Sequence, residues 1–301
     1  MGIFVRVINL AFSFTEHSSL TCFYNIKPNF IPMKTKIFFI LILSAMSLCA
    51  PAQSFYLRAG LGAAVCTAPH LSYQSTETSY EAVRTGLGDG IPVVAAAGYY
   101  FSSHFGVELG VDYFCGFSHK TVDDEYGLTS TTKYRGSMLA LVPAFVIKFD
   151  AGKFSPYARL GVMIGVLNSE KMDGKLSGQS DSAWVYNGKA DYTLKNYGGI
   201  AIGAQAAVGV TYPLGKILSF FGEVNMDGIS WAPKKGKYTK YSVNGEDKLP
   251  GMTTYNKTWV FEKKTEWESS SPSSEPQKFS LINFSFANVG LIVGVKINLG
   301  K

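Results

Sequence analysis

Apolar and polar residues alternate along this chain with a period of two, and the charges respect the alternation. Between Phe105 and Tyr113 the odd positions are Phe105, Val107, Leu109, Val111 and Tyr113, and the even ones are Gly106, Glu108, Gly110 and Asp112. A helix would scatter five such apolar residues around its circumference, whereas a strand puts them all on one face. The same pattern governs 157–166, 199–212, 218–227 and 287–299, and the first such segment, 55–65, sets Leu57, Leu61 and Val65 against Arg58, Gly60 and Gly62. Segments 91–101 and 137–149 are apolar on both faces, apart from Lys148, so they predict strands without fixing which face is which.

Eight strands result, each close to the roughly 9–11 residues that a tilted strand needs to cross a bilayer. Their connections alternate in length. Around 102–104, 150–153 and 213–216 they are short, whereas 66–90, 118–136, 167–196 and 230–278 are long, polar and rich in Ser, Thr, Lys and Asp. Short turns at one end and long loops at the other are the pattern of an up-and-down barrel in a membrane. A soluble sandwich would carry turns every 8–12 residues or so without that two-sidedness, and a soluble ligand-binding barrel would be polar outside. The expected fold is therefore all-β, an eight-stranded antiparallel up-and-down transmembrane β-barrel.

A charge facing lipid at mid-bilayer costs about 2–4 kcal/mol for Arg or Lys and less for Asp or Glu. Each charge in the clear spans lies opposite the apolar stripe, so Arg58, Glu108, Asp112, Arg159, Glu223, Asp227 and Lys296 are expected to face the lumen, with Gln205 and Asn225. This polar cluster is assigned a structural role. Tyr99, Tyr100, Phe101, Phe105, Tyr113, Phe114, Tyr157, Tyr197 and Tyr212 fall near strand ends, where aromatic girdles meet the headgroups. Asn244-Gly245 marks a hairpin turn in the last loop, and Trp184 to Gly188 marks another in the third. Both are expected above the membrane, because a tenth spanning strand would carry Lys237 and Lys240 on opposite faces.

Upstream of the strands, Lys34 and Lys36 precede an apolar run from Ile37 to Leu48, followed by Ala50-Pro51-Ala52. That run makes ~18 Å of helix, short of the ~30 Å hydrocarbon core, so 33–52 predicts a secretory signal cleaved near Ala52/Gln53. Residues 1–32 precede it as an overcalled start or an extended leader, and 53–301 form a single barrel domain. The whole chain has a net charge of +6 with 17% charged residues, which gives no footprint for nucleic acid. Of the four cysteines, Cys66 and Cys115 follow the signal, and their pairing is open. Neither Cys-x-x-Cys nor His-rich spacing calls for a metal or a cofactor.

The signal peptide, Phe105-Gly106-Val107-Glu108-Leu109-Gly110, Ser155-Pro156-Tyr157-Ala158-Arg159-Leu160-Gly161 and Phe221-Gly222-Glu223-Val224 together resemble the small outer-membrane β-barrel domain family of Gram-negative bacteria, similar in build to the OmpA/OmpX-type barrels. The resemblance spans essentially all of 53–301. It implies the cell outer membrane as location, and membrane lipid and lipopolysaccharide as surroundings. Its members include adhesins, small pores and lipid A enzymes, so it implies architecture rather than activity.

Three functions follow. An interior just wide enough for side chains suits a plugged lumen with a structural or surface-interaction role in the long loops. The last loop interleaves Lys234, Lys235, Lys237, Lys240, Lys263 and Lys264 with Tyr238, Tyr241, Tyr255, Trp259 and Trp267, which suits lipopolysaccharide phosphates, a glycan or a protein. The alternative is a narrow porin-like channel, with Gly and Ala on the inward faces of 55–65, 199–211 and 288–294 leaving space. An enzyme acting on lipid would need a base, and only His119, beside Ser118, is suggestively placed among His70, His104 and His119. No catalytic set assembles from spacing, so no enzyme is expected.

Overall fold

The computed structural model describes residues 54–68, 70–75, 80–125, 127–178, 188–264 and 273–299. The expectations for 1–52 and for Trp184 to Asn187 lie outside them. The strands in chain order are β1 (Ser54–Cys66), β2 (His70–Ser75), β3 (Tyr80–Thr85), β4 (Gly90–Tyr100), β5 (Phe105–Gly116), β6 (His119–Glu125), β7 (Leu128–Lys148), β8 (Ser155–Gly178), β9 (Gly188–Tyr197), β10 (Ala201–Pro213), β11 (Leu218–Trp231), β12 (Lys235–Val243), β13 (Glu246–Asp247), β14 (Thr258–Glu262), β15 (Gln277–Ser280), β16 (Phe284–Ser285) and β17 (Asn288–Asn298).

Eight of them close a ring in the order β1, β4, β5, β7, β8, β10, β11, β17 and back to β1, every neighbour antiparallel. Closure leaves the spanning strands without a free edge, which a hydrocarbon environment requires. The last residues of β17 lie against the first of β1, and the Leu299 amide donates to the Phe55 carbonyl at 2.8 Å. Both ends of the ring are therefore at the short-turn side, as an even strand count dictates.

Side chains alternate as the sequence predicts. Arg159 is 5% exposed and its neighbour Leu160 is 65% exposed, so the apolar residue faces outward and the charged one inward. Leu57, Leu61, Leu109, Ile202, Val208, Leu291 and Val293 are outward and exposed in the same way. An unbroken apolar belt of this kind would be a liability in water and matches the lipid-facing band of an outer-membrane barrel.

Four of the expected boundaries are corrected. The segments 118–136 and 167–196 are not loops throughout: β7 runs for 21 residues and β8 for 24, paired from Lys148/Tyr157 up to Leu128/Gly178. Only about 9–11 residues of a strand lie in the bilayer, so about half of β7 and more than half of β8 stand above it. The segments 66–90 and 230–278 likewise contain the β2–β3 pair and the strands β12 to β15. In β8, Leu139 pairs Leu167 but Ala140 pairs Gly165, leaving Val166 as a bulge. Below it the odd residues face inward, and above it the even ones, Asn168 and Glu170, do so.

Three residues assigned to the aromatic girdle are also corrected, because Tyr100, Phe114 and Tyr157 are buried and on the inward parity of their strands. The last loop does turn at Asn244-Gly245. Both residues have positive φ, 51° and 85°, the conformation a two-residue hairpin turn needs. The resulting strands extend the sheet through β9, β12, β14 and β15 above the barrel and do not enter the ring.

Candidate functional site

The inward-facing side chains make contacts in successive layers. Nearest the short turns, Lys296 Nζ donates to the Tyr100 hydroxyl at 3.1 Å and lies 3.8 Å from the Tyr56 ring centroid and 4.6 Å from that of Tyr100. Aromatic faces stabilise a cation in this position. The Tyr56 hydroxyl in turn donates to Glu108 at 2.9 Å. Glycine makes room for this packing, since a Cβ on Gly98 would run into the Tyr56 ring.

The next layer is a four-residue ion cluster. Arg58 donates to Glu108 at 2.9 Å and to Glu223 at 3.2 Å. Arg159 donates to Glu108 at 2.9 Å and to Glu223 at 2.7 Å and 3.3 Å. The Tyr157 hydroxyl donates to Glu223 at 2.7 Å, and the Arg58 guanidinium lies 5.3 Å from the Phe221 ring centroid. Removing charges from water is costly, and pairing repays the cost only where geometry and extra hydrogen bonds are good. Here two cations and two anions share contacts, and the residues are contributed by β1, β5, β8 and β11. The cluster therefore ties opposite walls of the ring.

Toward the long loops, the Gln205 amide donates to Asp112 at 2.9 Å and to Asp227 at 3.0 Å, and Asn225 donates to Asp227 at 3.2 Å. An apolar layer follows, in which Phe114, Met138, Met163, Ile229, Trp231 and Phe286 pack together. Between these two layers lies a cavity of about 20 Å³. All nine residues named for the lumen are placed on the inward face. Eight are buried and Asp112 is half-buried. Sequence reasoning missed Tyr56, Tyr100, Tyr157 and Asn288 as members, although period-two parity identifies Tyr56, two before Arg58, Tyr157, two before Arg159, and Asn288.

Above the membrane, Glu170 on β8 is buried on the inner face of the extended sheet. Asn196 donates to it at 2.8 Å, and Trp259 donates to Asn196 at 3.0 Å. Burial pushes the Glu170 carboxyl up to about 7 against this single hydrogen bond. The folded value exceeds the unfolded one, so the neutral acid favours the folded sheet. That stabilisation is complete below about pH 4.5 and is lost as pH rises through about 7, in all on the order of 3 kcal/mol. Amide exchange in β9 and β12 is expected to quicken from pH 5 to pH 8 after correction for intrinsic rates, and Glu170→Gln should remove the trend. An unchanged pH trend in the variant would assign it elsewhere.

His119 Nε2 sits 3.3 Å from Asp89, whose other oxygen accepts from the Cys66 amide at 2.7 Å. His104 lies in a short turn, its Nδ1 2.8 Å from the Ser103 hydroxyl. Cys66 and Cys115 are both free. They sit on strands separated by β4, and Cys115 points outward.

On the outward face of the extended sheet the register places four cations side by side. Arg135 pairs Lys171, Lys171 pairs Lys195, and Lys195 pairs Lys237, across β7, β8, β9 and β12. Lys171 is four residues beyond the exposed Leu167, about 13 Å along the strand. Like charges directly opposite one another are destabilising. Within the row Lys171 contacts Asp173 at 3.0 Å, and Lys237 lies 5.9 Å from the Tyr197 ring centroid.

A closed ring with an apolar outer belt, a charged and hydrogen-bonded interior and its first and last strands meeting at the short-turn side defines a β-barrel membrane protein. The chain belongs to the outer membrane protein beta-barrel domain family, whose model matches residues 38–204, more than half of its length. Such a protein resides in the bacterial outer membrane. Among solved structures, a match is the crystal structure of Ail, the attachment invasion locus protein of Yersinia pestis, at 9% identity, covering 82% of this chain and 97% of that one with a TM-score of 0.27. No curated protein matches the chain.

Proposed function

We propose that this is an exported, non-enzymatic barrel of the Gram-negative outer membrane, freed of a signal peptide near Ala52/Gln53, with a closed lumen and a function at the cell surface. The extended sheet meets lipopolysaccharide with its cationic row and presents its upper strands and loops to a protein or glycan outside the cell. The observation that carries this is the alignment of Arg135, Lys171, Lys195 and Lys237 just beyond the lipid-facing belt. Four adjacent cations at this height suit the phosphates of the outer leaflet, where each Lys or Arg near an anionic surface contributes about 1 kcal/mol. The layered lumen, with its small cavity, supports a closed barrel over the porin-like alternative.

The test is binding of the refolded barrel to vesicles containing lipopolysaccharide or its dephosphorylated form. The wild type should prefer the phosphorylated vesicles at least about tenfold, with the preference falling as salt rises. The triple variant Lys171→Gln, Lys195→Gln, Lys237→Gln should lose most of that preference while remaining folded. Equal binding of the wild type to both vesicles would refute the assignment.

A further inference from the structure

The charges of the lumen do not balance layer by layer. Arg58 and Arg159 are each engaged with both Glu108 and Glu223, and Lys296 is held at the far end by two tyrosines. Asp112 and Asp227 are left together, bridged by Gln205, with no Lys, Arg or His in ion-pair contact among the described residues. Beside them are acceptors with nothing to accept. Asn225 Oδ1 and Asn288 Oδ1 are buried and have no hydrogen-bond partner, and both residues line the cavity with the two carboxylates. Gln205 Oε1 is in the same condition. Buried polar atoms are seldom left this way.

Reversing the amides does not relieve the shortage. Turning Gln205 would aim its oxygen at two carboxylates, turning Asn225 would aim its oxygen at Asp227, and turning Asn288 would set its oxygen against the Phe286 carbonyl it now donates to. The donors are fixed by their acceptors, so the surplus of oxygen atoms is a property of the layer.

We propose that this chamber is a binding site for a hard divalent cation, with calcium as the ion it fits best. Two carboxylates supply the compensating charge, and Asn225 and Asn288 supply neutral oxygens, the mixed set that calcium accepts with flexible geometry. No cluster of three or more His, Cys, Asp or Glu able to hold a metal occurs among the described residues; here amide oxygens complete the set. The cavity of about 20 Å³ has the space of about one water, which an ion of smaller radius can take. Phe114, Met138 and Phe286 cover it on the loop side, so the ion enters as the barrel folds and exchanges slowly afterwards.

The experiment refolds the full chain from urea into lipopolysaccharide-free detergent at pH 7.5, with calcium or with a chelator, then desalts it. Elemental analysis should find calcium in a molar ratio near one to the barrel refolded with it, and that barrel should unfold at a higher temperature than the one refolded with chelator. Asp227→Asn should retain no calcium and should show the same unfolding temperature under both conditions. Its metal-free form should be more heat-resistant than the metal-free wild type, because a buried charge has gone; this also establishes that the variant folds. Wild type holding no more calcium than the variant, with unfolding temperatures independent of calcium, would overturn the proposal.

Discussion

Replacing Glu223 by Ala is expected to lower the unfolding free energy by about 3–5 kcal/mol. Glu223 is 1% exposed and accepts from Arg58, Arg159 and Tyr157. Its loss leaves two buried guanidinium groups facing Glu108 alone. Unpaired buried charge, rather than the missing contacts themselves, is the main cost. The urea midpoint of the refolded barrel measures it. The double variant Glu223→Leu with Arg159→Met should recover most of the loss, because apolar replacement of a buried pair is close to neutral. A double variant as unstable as the sum of the two single ones would show that the cluster does not act as a unit.

Trp231→Ala is expected to cost a further and separate 3–5 kcal/mol or so. Trp231 is fully buried, stands 5.7 Å from the Phe284 ring and 6.3 Å from the Phe286 ring, and donates to the Gly198 carbonyl at 2.7 Å. It thereby fastens the apolar layer over the lumen to the Gly198-Gly199 turn, where both residues adopt positive φ and L side chains would be strained. Trp231→Phe keeps most of the packing but removes the hydrogen bond, so about 1 kcal/mol should be lost. Urea unfolding of both variants separates packing from hydrogen bonding. Equal costs for Ala and Phe would mean that the hydrogen bond, not the packing, holds this end closed.

The barrel was legible because lipid enforces alternation. Outward Leu160 and inward Arg159 cannot exchange places without placing a charge in hydrocarbon, so parity in the sequence becomes direction in space. The same logic was silent for β4 and β7, whose inward residues include Val94, Ala96, Ala140, Val142, Ala144 and Val146. Small apolar residues fill the lumen there under large partners from other strands, as Gly98 lies under Tyr56. That is also why Tyr100 was misassigned to the girdle. Above the membrane even the buried inner face carries polar residues such as Glu170 and Asn196, the alternation fades across Thr129 to Lys133, and long strands looked like loops. The cationic row depends on register between strands, which includes the Val166 bulge. No single segment of sequence carries that information.

The position of Asp112 illustrates the boundary. Its parity in β5 placed it in the lumen correctly, beside Glu108 four residues away. Yet Glu108 joins the arginines while Asp112 joins Asp227, Gln205 and the amide oxygens. Which carboxylate meets which partner is decided by strand tilt and stagger around the ring, and neither is written in one strand's alternation.

The proposed function requires a barrel closed by its own side chains and acting through what stands above the membrane. Single-channel recording in planar lipid bilayers tests it most directly. The refolded wild-type barrel should insert, as judged by its shift on unheated gels, and show no unitary conductance steps. Regular steps of constant size in the wild type, abolished or resized by Arg159→Ala, would contradict the account and establish a conducting lumen.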